Sequence, residues 1–142
     1  MAEDETYRLT GPVRPKHYEI EVRPDLDEAR FDGHVDIDLD VAEPVHEMVL
    51  NAAELSIDGV VFTDAGGSTH EPEFELNEEN ERLVIRLAQE WQGTGRLSID
   101  FQGELNDRLI GFYRSTFQDQ DGSEKVIATT QFESTHARRA FP

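Results

Sequence analysis

Along His17-Tyr18-Glu19-Ile20-Glu21-Val22-Arg23, apolar and charged residues alternate strictly, which predicts a half-buried strand with Tyr18, Ile20 and Val22 on one face, ended by Pro24. The same period-2 pattern returns at Val35, Ile37, Leu39 and Val41, interleaved with Asp36, Asp38 and Asp40, after an expected turn at Asp32-Gly33. Shorter runs predict further strands at 47–50, 56–62, 73–76, 82–87, 96–101 and 125–131. Turn chemistry separates them, at Asp58-Gly59, Gly66-Gly67, Asn77 to Asn80, Gly93-Thr94-Gly95 and Asp121-Gly122. No window holds a helical period. About eight short strands at this spacing predict an all-β fold, either an antiparallel sandwich or a large curved, saddle-like sheet. Met1 to Thr6 reads as a flexible tail, leaving one domain over 7–142.

A chain of 142 residues is long enough to bury a core without staples. No apolar run approaches the roughly 20 residues needed to span a bilayer, so no membrane span is expected. An acidic start, Met1-Ala2-Glu3-Asp4-Glu5, lacks the charge pattern of a secretory signal and suggests a cytoplasmic protein. The absence of cysteine rules out disulfides and thiolate metal sites, and suits a reducing compartment.

Net charge is −18, which argues against a nucleic-acid partner because like-signed surfaces repel. The positive charge rests on eleven Arg and only two Lys, a balance that fits either genome composition or a salt-adapted host. Residues 125–142 depart from the acidic trend, setting Lys125, Arg138 and Arg139 against Glu133. That segment is expected to serve a different surface.

Three constellations carry candidate chemistry. His46-Glu47-Met48-Val49-Leu50 begins like the zinc motif H-E-x-x-H, but Leu50 stands where the second histidine is required, and the segment reads as strand. Asp36, Asp38 and Asp40 spell D-x-D-x-D, yet on a strand they stand about 6.6–6.8 Å apart along one face rather than folding around an ion. A solvated strand face is the expected reading, and no metal site is expected in this chain. In Gln131-Phe132-Glu133, positions two apart on an extended segment would face the same way. A side-chain oxygen and a carboxylate could then converge on one ammonium group. Spacing alone does not separate this from an ordinary polar strand face.

The surrounding residues form a longer pattern. Thr130-Gln131-Phe132-Glu133 followed by Ala137-Arg138 and Phe141-Pro142 resembles the T-Q-x-E-x-x-x-A-R-x-x-F-P segment of zinc aminopeptidases of the aminopeptidase N and puromycin-sensitive type. Val13 to Tyr18 with Pro24-Asp25-Leu26 resembles that family's opening, Phe31 to Ile37 its F-x-G-x-V-x-I strand, and Gly111 to Ser115 its G-F/Y-Y-R-S turn. The resemblance spans about residue 7 to 142. It implies that Glu133 binds the α-ammonium of a peptide substrate and that Gln131 supports it at the edge of the first side-chain pocket. Arg138, Phe141 and Pro142 would be structural. His136 departs from the family, which commonly has Asp before Ala-Arg, and so puts a local carboxylate–arginine pair there in doubt.

The family's G-x-M-E-N loop and H-E-x-x-H helix do not occur in these residues. The resemblance therefore implies the amino-terminal β domain of a larger enzyme, whose zinc and catalytic domain lie outside this sequence, with the catalytic domain of the same polypeptide as partner. The chain alone is expected to lack peptidase activity, since hydrolysis needs metal-activated water. It is also expected to leave Phe132, Ala140 and Phe141 exposed, disordered or packed against another copy. A non-catalytic β-sandwich binding or scaffold module stays open as the alternative; Trp91 is the single tryptophan available to an aromatic ligand face.

Overall fold

A computed structural model of the chain describes residues 9, 11–133 and 135–142. The tail expected over Met1 to Thr6 lies outside the described residues. The fold is all-β and antiparallel, in an open sheet rather than a closed barrel. Strands β1 (Val13–Asp25), β2 (Arg30–Asn51), β3 (Leu55–Asp64), β4 (Thr69–His70), β5 (Glu73–Asn77) and β6 (Arg82–Glu104) form one sheet. Its order is β1-β2-β6-β3-β4, with β5 also beside β6. Strands β7 (Gly111–Gln118) and β8 (Glu124–Gln131) form a separate hairpin, and a 3-10 helix follows at His136–Arg139.

The sheet is organised by two very long strands where the sequence predicts four short ones. The runs at 35–41 and 47–50 join in β2, and those at 82–87 and 96–101 join in β6. The two strands pair along both halves, with register shifts between Val41 and Val45 and between Val45 and Glu47. Pro44 sits inside that interruption, where its missing N–H costs no ladder bond, and Gly93 opposite Val41 takes a φ of 107°. Gly93-Thr94-Gly95 is thus an irregular stretch of strand and not a turn. Asp58-Gly59 is likewise a strand irregularity in β3, with a register shift between Ile57 and Gly59.

Glycine at 33 also has a different role from the expected turn. It lies in β2 opposite Phe101, and a Cβ there would stand 2.3 Å from the Phe101 ring. Gly103 opposite Phe31 repeats the arrangement, again at 2.3 Å. Each ring lies over the backbone of the facing strand because the glycine leaves room. The β1–β2 turn is instead at 26–29, where the Asp25 carboxylate accepts from the Asp27 and Glu28 amides.

The core lies on one face of the folded sheet. Val35, Ile37, Leu39 and Val41 of β2, Leu97, Ile99 and Phe101 of β6, and Val60 and Phe62 of β3 are buried in one cluster with Met48, Leu50, Leu83 and Ile85 from the other end of the β2–β6 pair. The Phe62 and Trp91 rings meet edge to face at 5.4 Å. The hairpin closes one side, with Phe112 at 5.1 Å from Phe31. Gly111 to Ser115, expected as a turn, is the first half of β7.

β1 departs from its expected burial. Tyr18 and Ile20 remain 39% and 43% exposed, and only Val13 and Val22 pack partly against the core. The register sets Tyr18 opposite Ile37 and Ile20 opposite Val35, so both sit on the apolar face. As an edge strand, β1 has a neighbour on one side alone, and alternation does not deliver full cover there. Its Pro15 and Pro24 suit an edge position.

Candidate functional site

Gln131 ends β8 and pairs with Gly111 of β7. It is exposed, as is Glu133, while Phe132 between them is half-buried with its ring 6.2 Å from that of Phe141. The strand does not run on through Glu133. The Phe132 carbonyl accepts the His136 amide at 2.8 Å, closing a turn that carries Glu133 into the 3-10 helix. Gln131 and Glu133 therefore share an exposed strand end and turn, and no ladder beyond Gln131 enforces the alternation expected from an extended segment.

The segment after Glu133 folds back onto the domain. The Ala53 amide donates to the Arg138 carbonyl at 2.9 Å, and the Ala140 and Phe141 amides both donate to the Ala137 carbonyl. Ala140 is only 3% exposed. The Phe141 ring meets Tyr18 at 6.1 Å, on the apolar face that β1 would otherwise leave open. This corrects the expectation that Phe132, Ala140 and Phe141 stand exposed, disordered or against another copy, because the domain's own edge strand and β2–β3 connection take them up.

Two arginines anchor the fold-back. Arg138 is buried to 8% exposure, with its guanidinium 3.7 Å from Glu81. Arg139 reaches Glu54 at 2.9 Å through Nη1 and Glu81 at 3.2 Å through Nη2, and its Nε donates to His136 Nδ1 at 3.1 Å. His136 thus accepts from an arginine, and the carboxylates come from Glu54 and Glu81, distant in sequence. Arg108 also donates to Glu54 at 2.5 Å. Partial burial pushes the Glu54 carboxyl upward, but the bond from Arg108 and the charges of Arg139 and Arg108 hold it below its ordinary value. Arg82, beside Arg138, donates to the Asn51 side chain, and burial lowers its pKa first, with the Arg138 charge adding to it.

The acidic face of β2 is a set of cross-strand pairs. Asp36 accepts from Ser98 Oγ at 2.5 Å and lies 3.2 Å from His34 Nε2. Asp38 accepts from Arg96 at 2.8 Å, and Asp40 stands 3.9 Å from Lys16. His34 Nδ1 meets Asp100 at 2.6 Å. Each carboxylate of D-x-D-x-D has its own partner. His46 of β2 pairs with Glu90 of β6 at 3.2 Å, both side chains exposed. Among the described residues, no group of three or more His, Asp or Glu side chains is placed to hold a metal ion. No described helix is long and apolar enough to cross a membrane.

Sequence reasoning missed Glu54, Glu81, Arg108 and Arg139. Their ion-pair partners lie 54 to 85 positions away, and no local period marks them. The nearest signal was the turn at Asn77 to Asn80, which places Glu81 at its exit.

Comparison with known proteins adds to this geometry. Residues 14–142 match the family model described as the peptidase M1 N-terminal domain. The chain is 43% identical over 140 residues to Aminopeptidase M1-A of Oryza sativa subsp. japonica, covering 95% of this chain and 16% of that protein. It is 43% identical over 140 residues to Aminopeptidase M1 of Arabidopsis thaliana, with the same coverage, 95% and 16%. To the Puromycin-sensitive aminopeptidase of Caenorhabditis elegans it is 39% identical over 137 residues, covering 95% of this chain and 14% of the relative. The chain thus spans about one sixth of the length of these curated relatives.

Proposed function

The chain belongs to the peptidase M1 N-terminal domain family, and on that premise we propose that it anchors the amino terminus of peptide substrates for a zinc aminopeptidase. Glu133 binds the substrate's α-ammonium, and Gln131 supports it at the edge of the pocket for the first side chain. The observation that supports this reading is the exposure of both side chains at the end of β8, on a turn fixed from behind by the docked 3-10 helix. An exopeptidase must measure a fixed distance from the free ammonium to the scissile bond, and a carboxylate on a rigid support supplies such a reference.

The described residues do not fit a zinc ion, so no hydrolytic step is assigned to them. On this reading the metal, and the water it activates, belong to the catalytic domain of the same polypeptide. A cytoplasmic setting suits a chain without cysteine.

The test is Glu133→Gln in the longer polypeptide that carries this domain. Loss of one charge-assisted contact should raise KM for a peptide with a free amino terminus by about 10-fold or more. An unchanged KM would overturn the assignment.

A further inference from the structure

The turn bearing Gln131 and Glu133 is held by a clamp with unusual backbone. Four non-glycine residues take positive φ among the described residues, and two of them are Glu54 (φ 59°) and Glu81 (φ 55°). Each delivers a carboxylate to Arg139. Left-handed backbone is unfavourable for glutamate, and such strain persists where the surroundings over-determine it. Here the surroundings are specific. The Ala52 amide donates to the Glu81 carbonyl at 3.0 Å, and the next residue, Ala53, donates to Arg138. The β2–β3 connection, the β5–β6 turn and the 3-10 helix are thereby joined at one point.

From that point the contacts lead to the candidate site. A Cβ at Gly111 would stand 2.9 Å from the Arg139 Cβ, so the arginine stem lies against the Gly111 backbone, and Gly111 is the register partner of Gln131. Arg139 Nε holds His136, whose amide closes the turn around Glu133. One arginine, through its stem at Gly111 and its guanidinium at His136, therefore links two glutamates of left-handed backbone to both ends of the Gln131–Glu133 turn.

We propose that Glu54 and Glu81 are positioning residues that act through Arg139 to fix the Gln131–Glu133 turn. The structural half stands on the contacts alone, and the effect on substrate rests on the ammonium-binding role proposed above. Replacing either carboxylate by its amide keeps size and backbone but weakens the fork-to-carboxylate bonds that set the guanidinium plane.

The experiment is the double variant Glu54→Gln/Glu81→Gln, read in two ways. In this chain, hydrogen exchange at the His136 amide should speed up by about tenfold while ladder amides of the β2–β6 pair hold their rates. In the longer polypeptide, KM for a free-amino peptide should rise several-fold with kcat little changed. Unchanged protection at His136, or a loss spread equally over the β2–β6 ladder, would overturn the clamp. If the His136 amide is released but neither this variant nor Glu133→Gln moves KM, the clamp stands and the ammonium-binding role falls. If Glu133→Gln raises KM and the released clamp does not, the positioning role is overturned by itself.

Discussion

The backbone amide of Ala53 donates to the carbonyl of Arg138 across 85 residues of sequence, at 2.9 Å. This bond ties the last described turn to the connection between β2 and β3, and it brings the Arg138 guanidinium to Glu81 in a largely buried setting.

Arg138→Ala should therefore destabilise the domain as a whole. Removing the side chain takes one of two arginine partners from Glu81 and leaves a cavity where a buried residue stood, so a loss of about 2 kcal/mol is expected. Urea unfolding of the chain measures it. A midpoint equal to that of the unmodified protein would show the fold-back contributes nothing to stability.

Gly33→Ala and Gly103→Ala test the ring-over-glycine pairs. A Cβ at either site stands 2.3 Å from a phenylalanine ring that is itself buried, at Phe101 and Phe31 respectively. The ring cannot swing into solvent without opening the core, so each variant should lose about 1–3 kcal/mol. Gly59→Ala, with nothing within 4 Å of its Cβ, is the control expected to change little.

The outer face predicts a pH dependence with a definite sign. The hydrogen bond to Asp100, with help from Asp36 and against the effect of burial, raises His34 above its ordinary 6.5. A raised histidine contributes stability that is full below that value and is lost as pH rises through the folded pKa. Burial pushes Asp36 up, but the bonds from Ser98 and His34 and the charges of His34 and Arg96 outweigh it and hold it below 3.8. Its contribution is present above that value and fades as pH falls. Glu21, opposite His34 on β1, adds a further acidic neighbour. Because the face is partly exposed, the histidine contribution should be about a few tenths of a kcal/mol. Urea midpoints between pH 5.5 and 8.5 should fall more for the unmodified chain than for His34→Gln. Equal slopes would remove His34 as a source.

The alternation at Val35, Ile37, Leu39 and Val41 was readable because every second residue there faces one continuous apolar layer, and the structure buries all four. The same pattern at Tyr18 and Ile20 promised burial that an edge strand does not supply. Glycine misled in a consistent direction. At 33, 59, 93 and 95 it was read as turn punctuation, whereas each lies within a strand. At 33 and 95 the reason is the close approach of Phe101 and Phe62, which belong to neighbouring strands and leave no trace beside the glycine itself.

The candidate site divides in the same way. Gln131 and Glu133 are proposed from a motif in contiguous residues, and family membership rests on a match over residues 14–142. The clamp of Glu54, Glu81 and Arg139 was not readable, because its members come from separate connections and meet only after β2 and β6 have paired. By itself, the sequence determined the all-β class and the polar and apolar faces of the central strands, and it singled out the segment of the proposed site, since these depend on residues within a few positions of one another. The tertiary structure alone decided that four predicted strands merge into two, that the last residues dock on their own domain, and which carboxylates hold them there. Those outcomes depend on contacts between distant residues, whose geometry is fixed only when the whole sheet has formed.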